Sequence, residues 1–295
     1  MRKVRKAVLR ARAVQIGAVA ALLASAGCGT PVVTEAGLIS RYDRLSASDT
    51  TASKSRLFVD RAALAGVRTV RIIPTAFPES VSGPALTPVE RRVIANAADR
   101  ALCYELSLRY DVVSSGPADL TVRSSITRVG LSNVPAQGVT IGASAAITIA
   151  AQVGVGFADT VGKVPVPRLP IGLGDLTVEA EALDARRQQR AAIVWAGAAN
   201  SFTNQARFSL GSDAYDLAGD FGQDFGYLLA TGEDPFQAEL TLPTYDRVRV
   251  TVLGEMPRDP DCQAFGRAPG VDGIIGDSLG LPPDWSDRGP TAGRP

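Results

Sequence analysis

Thr87-Pro88-Val89-Glu90 opens the segment that decides how this chain is read. Thr is a good helix N-cap, Pro suits the first helical position, and Glu at the third completes a capping box. The helix should run to about Arg109, with Val93, Ala97, Leu102 and Leu106 near one face. Before it, residues 67–73 alternate Val-Arg-Thr-Val-Arg-Ile-Ile as a strand, stopped by Pro74. After it come a short apolar approach (110–113), a turn holding Gly116-Pro117, and residues 119–129. There Leu120, Val122, Ser124 and Ile126 alternate with Thr121, Arg123, Ser125 and Thr127. A β-α-β order therefore opens the domain.

Working outward, residues 175–183 alternate again, with Leu176, Val178, Ala180 and Ala182 on one face and Thr177, Glu179 and Glu181 on the other. A charged turn at 184–190 leads to an apolar strand centred on Trp195, so a β-hairpin spans 176–199. Ser212-Asp213 starts a second helix whose apolar stripe is Leu217, Phe221, Phe225 and Leu228. Residues 247–253 read as a last alternating strand, and 46–55, rich in Ser, Thr and Asp, as a linker. Beyond Met256 the chain is rich in Pro, Gly and Asp; the expectation is an ordered wrap near Cys262 and a disordered end after Arg288. The fold class is α+β: a mixed β-sheet with helices on one face and an irregular C-terminal extension.

From Gly130 to Ala158 there is no charge, only a Gly, Ala, Val and Ile background with Thr140, Ser144, Thr148 and Gln152 at every fourth position. That spacing makes one polar stripe on a helix, while Val139, Ile141, Ile147, Ile149, Val153 and Val155 also alternate as a strand would. The favoured reading is a Gly/Ala-rich helical insertion packed on the domain; the alternative is a membrane-touching or pore-lining element. Gly142-Ala143-Ser144-Ala145-Ala146 lacks the last Gly of a nucleophile elbow.

The chain contains no His at all. That removes His-dependent Ser and Cys triads, His-ligated zinc and His acid–base chemistry. No metal-ligand set and no cofactor motif is read. Glu179, Glu181 and Asp184 form the one close carboxylate cluster, but like charges two apart on a strand repel and are expected on a solvated face.

The first 27 residues read as a signal peptide: six Arg and Lys, an apolar run over 16–23, then Ser25-Ala26-Gly27-Cys28. The last four resemble a bacterial lipobox, which makes Cys28 the lipidated first residue of the mature chain. Ala24-Ser25-Ala26 alternatively fits ordinary signal peptidase, giving a soluble product, and an uncleaved anchor is the third reading, although a span takes about 20 apolar residues. Gly29 after Cys28 points to the periplasmic face of the outer membrane. With lipid on Cys28, Cys103 and Cys262 remain as a pair able to form a disulfide in an oxidising compartment; two separate thiols are the alternative. Cleavage removes six basic residues and no acidic one, leaving 25 against 30 and a net charge near −5, which gives nucleic-acid binding no electrostatic support. The expected organisation is a signal peptide at 1–27, lipidated Cys and tether at 28–55, an α+β domain at 56–232 interrupted at 130–158, and an extension at 233–295.

Several of these stretches together resemble one bacterial lipoprotein family, the domain of unknown function 3313. They are the Cys28 signal, Gly37-Leu38-Ile39-Ser40-Arg41-Tyr42-Asp43-Arg44-Leu45, the Gly116-Pro117-Ala118-Asp119-Leu120 turn, and the hairpin from Gly172-Leu173-Gly174 to Glu181-Ala182-Leu183-Asp184-Ala185. The likeness covers roughly 28–230. It implies an envelope lipoprotein with an α+β domain, and it carries over no catalytic residue. The expected function is a non-enzymatic structural or assembly component of the cell envelope, held to the membrane through Cys28 and meeting other envelope proteins. Two alternatives are a binding module for a small hydrophobic or lipid ligand with 130–158 as its lid, and a carboxylate-only glycan-cleaving enzyme.

Overall fold

The computed structural model describes residues 31, 33–50, 53–82, 85–135, 138, 172–200, 204–238 and 242–290. In chain order the elements are β1 (Ser46–Asp49), β2 (Ser53–Val59), α1 (Arg61–Leu64), β3 (Thr69–Ile72), α2 (Glu79–Ser82), α3 (Pro88–Ser107) and β4 (Asp111–Val112). Then follow β5 (Leu120–Gly130), β6 (Asp175–Asp184), β7 (Gln189–Ala198), α4 (Ser212–Thr231), α5 (Tyr245–Thr251) and α6 (Gly270–Ser278). The seven strands make one open sheet in the order β1-β2-β7-β6-β5-β3-β4. Pairing is antiparallel from β1 across to β5 and parallel among β5, β3 and β4. The fold is the α+β class with a mixed sheet, and the β-α-β start is β3-α3-β5 with the short β4 added at the edge.

The capping box forms as its residues require: Glu90 N donates to Thr87 Oγ1 at 3.2 Å, and Thr87 N donates back to Glu90 Oε2 at 2.8 Å. Helices α3 and α4 lie together over one face of the sheet. Their backbones approach closely because α4 carries Gly222 and Gly226 at the contact; a Cβ on Gly222 would stand 2.3 Å from the carbonyl oxygen of Ala98. The predicted stripes of both helices are buried, and under α4 the Trp195 ring meets Phe221 edge-on at 6.1 Å, with Phe221 stacked on Phe225 at the same spacing.

The expected 176–199 hairpin is β6-β7, and its strands are buried on both faces. One face meets the helices. The other is covered by the N-terminal segment 33–45, where Ile39 packs on Ala192 and Val194, with Val33, Tyr42 and Leu45 around it. Two expectations are corrected here. Residues 46–55 are not a linker: β1 and the start of β2 occupy them, with Ser53–Val59 paired in register to Ala191–Gly197, so the ordered domain begins well before residue 56. Small polar residues suit a sheet edge as well as a loop, and composition misled. Residues 247–253 are not a strand: Thr244 Oγ1 caps Arg247 N at 3.2 Å and helix α5 follows. Of its alternating valines Val248, Val250 and Val252, Val250 is the buried one, and Arg247 and Arg249 beside them pair with carboxylates instead of facing solvent as a strand's polar side.

The extension wraps the outer side of the helix pair. Cys262 and Cys103 form a disulfide across 159 positions with Cα atoms 5.6 Å apart. Asn96 Nδ2 donates to Phe265 O at 2.9 Å, and Arg100 pairs with Asp287 at 2.8 Å. Near the end expected to be disordered, Gly289 N still donates to Asp287 at 2.8 Å. Residues 291–295, the signal with Cys28, and residues 139–158 of the uncharged segment lie outside the described residues. Among the described residues no helix is long and apolar enough to cross a membrane.

Candidate functional site

The carboxylates singled out in the sequence lead to the first site, and the structure corrects their setting. Glu179 and Glu181 are 0% exposed. Segment 33–45 crosses the outer face of β6 with backbone amides that need acceptors, and the two side chains supply them. Glu179 Oε1 accepts from Ala36 N at 2.6 Å and Tyr42 Oη at 2.8 Å, while Oε2 accepts from Leu38 N at 2.9 Å. Glu181 Oε2 accepts from Ser40 N at 2.8 Å, Ser40 Oγ at 2.6 Å and Gln189 Nε2 at 3.0 Å. Its other oxygen takes the guanidinium of Arg123, the register partner on β5, and Arg123 also donates to Leu38 O at 3.0 Å. The result is a clamp that holds three alternate residues of the N-terminal strap, Ala36, Leu38 and Ser40, on the sheet.

Burial alone would raise the Glu181 pKa; the bonds from Ser40, Gln189 and Arg123 outweigh it and hold the carboxylate below its ordinary range. An acid so stabilised as its anion, with every oxygen occupied, is a poor proton donor. Asp184 does not join the pair. It sits in the hairpin turn, accepting from Arg186 N at 2.8 Å, Gln188 N at 2.9 Å and Arg190. Five residues of strand separate it from Glu179, about 17 Å. The facing pair across a cleft that glycoside cleavage uses is therefore not what these three residues form.

A second buried carboxylate closes the base of the insertion. Asp213 Oδ2 accepts from Gly174 N at 2.7 Å and from Ser132 Oγ at 2.8 Å, and Asn133 N donates to Gly172 O at 2.9 Å. A Cβ on Gly174 would stand 2.7 Å from Gly130 O and 2.9 Å from Asp213 Cβ, so glycine is required for this approach. The chain thus leaves β5 and returns to β6 at one point. A third, Asp99 on α3, accepts from Thr75 N and from Thr75 Oγ1 at 2.6 Å, and Thr75 in turn contacts Ser124 Oγ. Burial raises Asp99 to about 7 despite those bonds.

Sequence reading missed a hollow of about 480 Å³, a cleft between α3, α4 and the extension. Its floor carries Asp216 and Asp220 of α4, and a smaller hollow of about 190 Å³ continues past Asp220 to Asp224 and Trp195. The signal was available: Asp216, Asp220 and Asp224 recur every fourth residue, flanking the apolar stripe of the predicted helix. No three acidic or sulfur ligands converge on a metal-sized point among the described residues.

An open mixed sheet with a helix pair on one face and a carboxylate-clamped strap on the other defines an α+β domain of the kind the resemblance implied. The chain belongs to the family described as proteins of unknown function (DUF3313), whose profile matches residues 34–225. The match begins in the strap and ends inside α4, so the extension lies beyond it. Two of the stretches that carry the family resemblance meet in the clamp: 37–45 supplies Leu38, Ser40 and Tyr42, and 172–185 supplies Glu179 and Glu181. Among solved structures the chain is similar to the PelC dodecamer from Paraburkholderia phytofirmans, at 11% identity over 64% of this chain and 99% of that one, with a TM-score of 0.33. A single-substitution variant of the same PelC dodecamer matches at 12% identity, with the same coverage and a TM-score of 0.32. No curated protein matches the chain.

Proposed function

We infer that this protein is a non-enzymatic component of the cell envelope that is tethered through lipid on Cys28 to the periplasmic face of the outer membrane and joins other envelope proteins through its C-terminal extension. The observation that carries the reading is where apolar surface remains uncovered. Large exposed apolar side chains concentrate between residues 242 and 285, outside the family domain. On α6, Val271, Ile274 and Ile275, followed by Leu279, are 53%, 54%, 46% and 59% exposed. Their i, i+3, i+4, i+8 spacing puts them on one helix face, while Gly270 and Gly276 face inward. Contiguous exposed apolar surface of this kind marks interaction sites.

The clamp supports the tether. Cys28 is eight residues from Ala36, the first strap residue held by Glu179, so an acyl group on Cys28 would keep the domain within about 29 Å of the bilayer. The saturated Glu179 and Glu181 favour a structural role over carboxylate catalysis, and the charged lining of the main cleft suits neither a lipid nor another apolar ligand. The test is chemical crosslinking in intact cells followed by capture, with wild type compared to an Ile274→Glu/Ile275→Glu variant. The reading expects defined envelope proteins captured by wild type and lost in a variant that melts like wild type. Identical capture by both would overturn it.

A further inference from the structure

The cleft between the helix pair and the extension has a charge inventory that does not close. Its arginines are matched: Arg207 lies between Asp216 at 2.9 Å and Asp277 at 2.6 Å, Arg247 pairs with Glu105, and Arg100 pairs with Asp287. Asp220, mid-way along the α4 floor, has no hydrogen bond and no ion pair among the described residues. Asp224, one turn further, has only a neutral donor, Trp195 Nε1 at 2.9 Å. A hollow large enough for a small molecule is thus left with uncompensated carboxylate charge at the point where its two compartments meet, since Asp220 and Gln223 line both.

The rest of the lining selects the ligand. A hard metal ion takes six or more oxygens, and no such convergence exists among the described residues. An ammonium group needs one carboxylate and a neutral acceptor or two, which Asp220 and the Gln223 amide can give. The adjoining wall is apolar, from Ala97, Ala101 and Val250, and Gly219 leaves open space beside Asp220, with no atom within 4 Å of where its Cβ would stand. We propose that this cleft binds an aliphatic primary amine, its ammonium on Asp220 and its carbon chain along Gly219 and the apolar wall. This site is independent of the apolar face on α6.

The cation should bind only the ionised Asp220. The surrounding protein, then the like charges of Asp216 and Asp224, raise that group above the ordinary carboxylate range, by less than full burial would because its side chain is exposed to water. The other charges on the cleft are the matched pairs from α3, α4, α5, α6 and the 204–211 loop named above; Asp224, which burial raises to about 6 against the bond from Trp195, titrates at the lower end of the same range and adds to the pH response of Asp220. The ionised fraction of Asp220, and the affinity with it, therefore falls as the pH is lowered from 8 to 6.

The experiment is isothermal titration of the purified full chain with 1,5-diaminopentane, and with 1,5-pentanediol as the uncharged match. Wild type should bind the diamine saturably at pH 8, more weakly at pH 6, and should not bind the diol. Asp220→Asn should lose at least tenfold in affinity. Gly219→Leu, which fills the space without touching a charge, should lose affinity too, and being a helix-favouring change at an open position it should melt no lower than wild type. Absence of saturable diamine binding by wild type, equal affinity in Asp220→Asn, equal binding of the diol, or an affinity independent of pH would each overturn the assignment.

Discussion

Replacing Glu179 by Ala removes the acceptor for Ala36 N, Leu38 N and Tyr42 Oη at a fully buried position. A hydrogen bond to an ionised group contributes about 1.5–3 kcal/mol, so three would sum to about 4.5–9 kcal/mol if the donors stayed buried. They need not, because the strap can lift and give its amides to water. The loss is then capped by what else holds the strap, chiefly the Glu181 bonds and the burial of Ile39, less the backbone entropy regained. Removing a buried charge also relieves its own desolvation. The expected net effect is about 3 kcal/mol, with the strap the first part to open. Urea unfolding reads the stability, and trypsin reads the strap, since Arg41 and Arg44 lie within it. Cleavage after these residues should become fast in Glu179→Ala while the remaining domain stays resistant. A variant within about 0.5 kcal/mol of wild type, with a strap as resistant as before, would refute the clamp as the device that seats the N-terminal segment.

Two further outcomes follow from the same structure. Between the ordinary carboxylate value of 3.8 and about 7 the folded protein keeps a proton on Asp99 that the unfolded chain has released, so stability should fall as pH rises through that window and level off above it. Asp99→Asn should reduce that slope in urea unfolding at pH 4.5 to 7.5; an unchanged slope would place the proton elsewhere. For the disulfide, the domain already fixes Cys103, so the loop closed in a locally undocked extension runs from Gly232 to Cys262, about 30 residues, which in the chain-entropy model is about 3.6 kcal/mol. Cys262→Ala should therefore leave β-sheet content intact and expose residues 233–290 to protease, and an extension equally protected without the bond would contradict this.

How much of this was legible depended on whether the deciding interaction was local. The start of α3 was, because Thr87, Pro88 and Glu90 satisfy one another within four residues, and so were the β6-β7 hairpin and the stripe of α4, set by periodicity alone. Glu179 and Glu181 were placed on the correct strand face, but that the face is dry depends on a strap about 140 positions earlier in the chain. The same distance hid the cleft: the acidic repeat on α4 is visible in sequence, yet the walls that enclose it come from α3 and from an extension held by Cys262. In α5 seven residues carry a valine alternation that fits either element, and the Thr244 cap, which could have been read, decides for helix. The serines of β1 and β2 carry no apolar signal, because β1 closes the sheet at a partly exposed edge and the buried Ser48 and Ser55 are small enough to pack there.

The claim that the domain is an anchored envelope component is tested most directly by the intact mass of the protein recovered from a membrane fraction, as wild type and as Cys28→Ala. The account predicts a wild-type mass equal to cleavage before Cys28 plus acyl chains, and loss of that species in the variant. A protein cleaved before Gly27, unmodified and found in the soluble periplasmic fraction, would contradict it.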